Sequence, residues 1–322
     1  MCSPSIPALS LSDLGSFHIG GREIELRGQA LQTHRYAATG IPTVFDPNGR
    51  YLVEQMYVQY FIPSQPRGHV PLLLWHGGGM TGVNYEKTPD GREGWLNAFL
   101  RLGWPVYNSD AVERGRSGWP ALPESPWSTE PVLMPLEHAV SRFRLAQQGG
   151  SVTDADGVSQ FPLGDLAQFG KQLSPRWTST DAPTLDAYRL LLKRVGPAVI
   201  VAHSQGGTFA IQAARELPEL VRAVVLVEPA NPEVEEATVD MHGIPLLMIY
   251  GDGIERDARW PRIREKGRVF ADAVTQAGGS VDVLDLPAVG IYGNTHMLMM
   301  DFNNLDIAAL INTWLTKRGL YS

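Results

Sequence analysis

A single cysteine, Cys2, is present in the 322-residue chain. No intrachain disulfide can therefore form, and nothing in the thiol content ties the protein to an oxidising compartment. Long apolar runs are missing as well. The longest, such as "IPLLMIY" over 244–250, reach about seven residues, far short of a membrane-spanning helix. Blocks of like charge are absent, which excludes an acidic tail or a basic arm. The net charge of -7 argues against a nucleic-acid partner, whose phosphates require clustered Lys and Arg. Neither internal repeats nor low-complexity stretches occur. The opening "MCSPSIPALSLSDLG" has no positive start and no solid apolar stretch, so no signal peptide is read and a soluble, cytoplasmic protein is expected. No His/Cys/Asp spacing suggests a metal site, and no cofactor is expected. Homo-oligomerisation is left open.

What remains is a globular composition, with hydrophobic residues at 43% and charged residues at 19%, in a chain long enough for one large α/β domain or two small ones. In "YLVEQMYVQYF" (51–61), Met56, Val58 and Tyr60 alternate with polar neighbours, the period of a half-buried strand. "SFHIGGREIELRG" reads as an N-terminal antiparallel hairpin turning at Gly20-Gly21. Six further segments, at 70–75, 104–110, 197–203, 222–228, 244–250 and 281–286, are short and almost continuously apolar, as in a parallel sheet covered on both faces. Helical patterns lie near 92–102, 184–195, 207–216, 260–277 and 303–317. The expectation is an α/β fold with a doubly wound, mostly parallel sheet. Residues 1–110 and 184–322 would form its core. Residues 111–183, with helical pieces at 136–147 and 163–172, would be a helical cap or lid insertion, since a structureless loop of that length is unusual.

Chemistry concentrates at "VIVAHSQGGTFA" (199–210). Ser204 follows a buried strand and precedes a helix, the setting of a nucleophile elbow. The usual glycine two residues earlier is Ala202, but Ala202 and Gly206 both meet the requirement for small residues around a tight turn. An ordinary helix-capping serine would leave two successive glycines at a helix start unexplained. Such a nucleophile needs two backbone N–H groups for the developing oxyanion. Gln205 supplies one, and "WHGGGMTG" (75–82) supplies the other, with Gly78 preferred to Gly77.

Downstream there are only two histidines. His242 precedes a strand, on the wrong side of the sheet. His296 lies in the loop before the last helix, over the carboxyl ends of the strands, and is the candidate general base. For the acid, Glu228 ends a fully apolar strand, where an unpartnered carboxylate would be costly, and is preferred to Asp252. Arg114 and Arg116, in "ERGRSG", are placed either to make structural ion pairs or to meet an acidic group on a substrate. Trp119, Trp127, Phe143, Phe161, Phe169 and Trp177 would line an apolar pocket or form the insertion's own core.

With "WHGGGMTG", "AHSQGG", "VEPA" and "GNTHMLMMD" in that order, the chain resembles the α/β-hydrolase superfamily. More narrowly, "TPDGREGW" and "LGWPVYNSDAVERGRSGWP" resemble a small group of bacterial carboxylesterases whose acid is a glutamate after strand six. The resemblance spans roughly 50–317. It implies Ser204, Glu228 and His296 as a catalytic triad, with Gly78 and Gln205 as oxyanion donors. Some relatives carry cysteines where this chain has Gly78-Gly79, so any rigidity they confer does not transfer. The expected activity is serine-dependent cleavage of a small-molecule carboxylic ester or lactone. Acyl transfer, C–C bond hydrolysis, lyase chemistry and a non-catalytic ligand-binding role are the alternatives on the same fold.

Overall fold

The computed structural model describes residues 8–119, 122, 131–146, 159–230 and 240–322. Its centre is an eight-stranded sheet built from β1 (Leu11–Leu26), β4 (Gly49–Pro63), β5 (Leu72–Trp75), β6 (Val106–Asp110), β7 (Ala198–His203), β8 (Val221–Val227), β9 (Leu246–Tyr250) and β10 (Val281–Asp285). The spatial order is β1-β4-β6-β5-β7-β8-β9-β10. From β6 to β10 every neighbouring pair is parallel, while β1 and β4 are antiparallel additions at one edge.

β5, β7, β8 and β9 are buried on both faces because alternate residues feed two separate cores, whereas β10, expected to be buried likewise, lies at the sheet edge and leaves Val283 42% exposed. Leu72, Leu74, Val199, Val201, Val225, Val227, Leu247 and Ile249 pack on one side. That side is closed by α2 (Trp95–Arg101) and α8 (Asn304–Thr316). Leu73, Trp75, Ile200, Ala202, Val224, Leu226, Leu246 and Met248 point the other way. Three helices cover them: α5 (Asp181–Val195), α6 (Gly206–Glu216) and α7 (Trp260–Gln276). Local signals agree with these bounds. Gly196, at φ +87°, ends α5 in the manner of a glycine C-cap. Asp257 accepts the N–H groups of Arg259 and Trp260 and starts α7.

At the N-terminus the chain does fold back antiparallel, but not at Gly20-Gly21. β1 runs unbroken through both glycines, pairing Ile19 with Met56, Gly20 with Gln55 and Arg22 with Val53. The reversal lies further on, in residues 27–48, which contain a small antiparallel pair, β2 (Gln32–His34) with β3 (Thr43–Phe45). The glycines serve close approach instead of a turn. Both have positive φ; a Cβ on Gly20 would lie 3.2 Å from Ala187 of α5, and one on Gly21 2.8 Å from the Val53 carbonyl.

Two further short helices belong to 111–183: α3 (Leu136–Arg142) and α4 (Leu166–Gly170), while α1 (Val83–Glu86) follows the loop after β5. Phe143, Phe161 and Phe169 contact one another edge-on and are continuous with the core of the α2–α8 side. Trp177 packs instead with Trp119 and Val53. Trp127 and residue 147 lie outside the described residues. Among the described residues no helix is long and apolar enough to cross a membrane.

Candidate active site

β5 is flanked by β6, the next strand in the chain, on one side and by β7 on the other. The crevice beyond their carboxyl ends is therefore a topological switch point, where α/β sheets place ligands. Ser204 stands there, directly after β7, with φ +51°. A left-handed serine costs about 1–2 kcal/mol and persists only where the surroundings enforce it. Here its N–H donates to the Val227 carbonyl at 2.9 Å, and its own carbonyl accepts from Gly207 and Ala230. The turn is possible because its neighbours are small. A Cβ on Gly206 would lie 2.8 Å from the His76 carbonyl oxygen and 2.9 Å from that of Trp75, so helix α6 begins in backbone contact with the end of β5. Ala202, in place of the usual glycine, is fully buried and packs among the α5–α6 side chains.

His76-Gly77-Gly78-Gly79 lies alongside. A Cβ on Gly77 would come 3.0 Å from the Ser204 Cβ, which places this loop against the serine. His76 shapes it. Its Nε2 accepts the Ala111 N–H at 2.9 Å, so its Nδ1–H donates to the Gly77 carbonyl at 2.8 Å. Burial pushes the imidazole down to about 4, and it stays neutral in this role. Among the described residues no acceptor takes the N–H of Gly78 or of Gln205. The N–H of Gln205 is an orphan of the α6 N-terminus. Both are thus available as donors beside Ser204.

Glu228 follows β8 with φ +49° and is completely buried. Its Oε2 accepts His296 Nδ1–H at 3.0 Å. Its Oε1 accepts Arg144 Nη2–H at 2.8 Å and the Gly251 N–H. Burial alone would raise this carboxyl, but the Arg144 charge and the His296 hydrogen bond overcome it and hold the group at about 2. His296 is also buried, and burial lowers its pKa against the pull of Glu228, with Arg144 and Arg142 adding to the lowering. The Nδ1–H bond to Glu228 leaves Nε2 as the proton-accepting nitrogen.

The imidazole is packed on three sides. Phe143 stacks on it at 5.3 Å, Trp260 lies at 4.4 Å and His203 at 4.6 Å between ring centroids. Its backbone is fixed as well: the His296 N–H donates to the Phe143 carbonyl and the His296 carbonyl accepts His203 Nε2–H, both at 2.9 Å. The two residues before it are fixed by buried Asp301, which accepts from the Thr295 N–H, the Thr295 hydroxyl and the Asn294 amide. Among the described residues the Ser204 hydroxyl has no hydrogen bond to His296; a nucleophile–base bond of this kind tightens when substrate binds.

The other residues singled out in the sequence separate. Asp252 accepts the Gly253 and Gly293 N–H groups and does not touch His296. His242 is 43% exposed beside Asp240, away from the site. Arg116 is taken by Asp110, Gln59 and the Tyr57 ring. Arg114 turns inward and is 5% exposed. Among the described residues of 111–183, Phe143 is the one aromatic found against the histidine. Sequence reasoning missed Arg144, whose bond to Glu228 spans 84 positions and leaves no local mark. It also missed His203, although that residue sits in the quoted elbow. Among the described residues no group of three His, Cys, Asp or Glu side chains is placed to hold a metal ion.

Comparison with known proteins gives a consistent picture. Residues 140–253 match the family described as the alpha/beta hydrolase fold. The structure of a novel bacterial esterase superposes with a TM-score of 0.85 at 33% identity, covering 99% of both chains. A probable secreted lipase, phiG, of a fungal species (strain ATCC 74256) is 28% identical over 344 residues, covering 88% of this chain and 92% of the lipase.

Proposed function

Given that this chain belongs to the α/β-hydrolase family, with an esterase and a lipase among its relatives, we propose that it cleaves carboxylic esters or lactones by acyl transfer through Ser204. The observation that carries this reading is the buried Glu228–His296 pair at 3.0 Å, set at the strand ends beside a serine held at φ +51°. A structural serine would need neither.

His296 Nε2 takes the Ser204 hydroxyl proton as Oγ attacks the carbonyl carbon. The oxygen that becomes negative is received by the N–H groups of Gly78 and Gln205. Glu228 stabilises the imidazolium while the tetrahedral intermediate exists. His296 then returns the proton to the leaving alcohol, and water repeats the sequence to release the acid. In a lactone the leaving alcohol stays attached to the acyl group, and the released product is a hydroxy acid. The segment 111–183, which contributes Phe143, Arg144 and Arg176 to the surroundings of the site, is the proposed cap.

Mass spectrometry of the intact protein after a fluorophosphonate probe tests the reading. One adduct is expected on Ser204, lost in Ser204→Ala and strongly slowed in Glu228→Gln. Folded wild-type protein that takes no adduct would refute it.

A further inference from the structure

Beyond the triad, the surroundings of Ser204 carry an unexpected charge. The protein as a whole is acidic, with a net charge of -7. Its reaction centre is flanked by guanidinium groups. Arg176 reaches over the oxyanion loop. The point where a Cβ on Gly78 would lie is 2.6 Å from Arg176 Nη1 and 2.7 Å from Gln205 Oε1. Arg142, at the end of α3, directly precedes Phe143, whose ring stacks on His296, and its charge lowers the His296 pKa. It is held there by the Trp260 indole N–H, which donates to the Arg142 carbonyl at 2.8 Å. Arg114 lies behind Arg176, buried, its Nη1 donating to the Pro175 carbonyl at 3.2 Å. Ser204 is next to Gln205 in the chain and against Gly77 in space.

Arg114 and Arg142 both feel the like charge of Arg176. Among the described residues, no carboxylate comes within 4.0 Å of any of the three, although other arginines make such contacts, for example Arg116 with Asp110. The Nε of Arg114 and the Nε of Arg176 are buried with no hydrogen-bond partner. Asp181 feels both Arg176 and Arg114 and accepts from the Gln205 side chain at 3.2 Å, while Asp257 acts on Arg142. Glu113, beside Arg114, is pushed up to about 8 by burial and supplies no full countercharge near neutral pH. Arg114 is buried, Arg176 half-buried and Arg142 exposed, and a cation withdrawn from water is expensive unless something pairs with it. An anionic ligand group supplies that pairing.

Resting on the esterase reading above, we propose that the substrate is an ester bearing a carboxylate close to the scissile carbonyl, and that Arg176 and Arg142 bind this carboxylate. The guanidinium fork suits a carboxylate in two-point contact. Arg114 is a positioning residue that orients the Pro175–Arg176 segment and adds its charge. The reaction is unchanged: ester and water give acid and alcohol, and the second carboxylate is a handle that takes no part in bond exchange.

Two pairs of small esters decide the matter, each pair matched in size and differing in charge. Monoethyl succinate and ethyl succinamate place the charge on the acyl side. Acetoxyacetate and acetoxyacetamide place it on the alcohol side. Wild-type kcat/KM is expected to favour the anionic member of at least one pair by about tenfold to a hundredfold, the worth of a charge-assisted hydrogen bond. The pair that shows the preference identifies the side. In Arg176→Gln and in Arg142→Gln the preference should shrink by roughly tenfold through KM, with Arg176→Lys retaining part of it. Wild-type enzyme that is labelled at Ser204 and cleaves the neutral members equally well would overturn this inference and leave the esterase reading standing. Loss of labelling in wild-type protein would remove both. Variants that reduce anionic and neutral rates by the same factor would assign Arg176 and Arg142 to structure and also overturn the inference.

Discussion

Arg144 offers the sharpest test of the electrostatics around His296. Its guanidinium and the imidazole hydrogen-bond to opposite oxygens of one buried carboxylate, at 2.8 and 3.0 Å. When His296 takes up a proton, two cations share Glu228. Standing roughly 7 Å apart with an effective dielectric constant of about 20, they repel by ~2.4 kcal/mol. That is an upper bound of nearly two pKa units, and relaxation around a replacement side chain reduces the expected shift to about one unit. The sign follows from the geometry. Arg144 disfavours the imidazolium, so replacing it by glutamine raises the pKa of His296. The base must be neutral to accept the serine proton, and the acid limb of the pH profile should therefore move to higher pH. The assay is kcat/KM for a neutral nitrophenyl ester across the pH range, for wild type, Arg144→Gln and Arg144→Lys. Lysine keeps the charge and should leave the limb within a few tenths of a unit of wild type. Removing one member of a buried pair also costs about 3–5 kcal/mol of stability, so a urea melt must accompany the profile. A folded Arg144→Gln enzyme whose acid limb stays in place, or moves to lower pH, refutes the reasoning.

The remaining predictions concern the scaffold. Gly206→Ala drives a Cβ to 2.8–2.9 Å from two backbone carbonyl oxygens, which cannot swing away as a side chain would. Destabilisation of ~1–3 kcal/mol in urea unfolding is expected, together with slower fluorophosphonate labelling. A variant as stable and as reactive as wild type would show that β5 and α6 are not in tight contact. Glu113 is buried, its two carboxylate oxygens have no partner, and burial pushes it up to about 8. Between its unfolded value near 4.5 and about 8 the native state holds a proton that the unfolded chain has released, so this group makes stability fall as pH rises, by up to ~1.4 kcal/mol per pH unit. Glu113→Gln should flatten that dependence and gain stability at the alkaline end. Parallel stability curves for wild type and variant would contradict it.

Much of the architecture is visible in the chain because β5 to β9 carry apolar residues toward two cores at once, and only a sheet covered on both faces asks for that. The chain order of Ser204, Glu228 and His296 is legible for a related reason. Each follows a strand or lies in a loop at one end of the sheet, so position in the sequence becomes position in space. Gly20-Gly21 shows where this fails. A glycine pair meets the needs of a tight turn and of a strand passing beneath a helix equally well, and only the approach of Ala187 decides between them. Arg114 and Arg116 share one short motif yet part company, since the turn at Gly115–Ser117 sends Arg116 back to Asp110 and Arg114 inward. Arg144 could not be read at all. Its meaning lies in a carboxylate far along the chain.

The bond from the His296 N–H to the Phe143 carbonyl, with Arg144 clasping Glu228 next to it, has a bearing on biosynthesis. The histidine is encoded 92 positions after Ser204 and is seated by a segment translated some 150 residues earlier. A nascent chain can form its elbow and present its serine long before a base stands beside it. Under the proposed mechanism, reactivity is withheld until His296 has been made and the middle of the chain has docked, which spares a half-made chain from acylating itself. The same dependence makes the segment a poor unit for exchange between relatives, because a graft that lacks Phe143 and Arg144 takes part of the reaction centre with it.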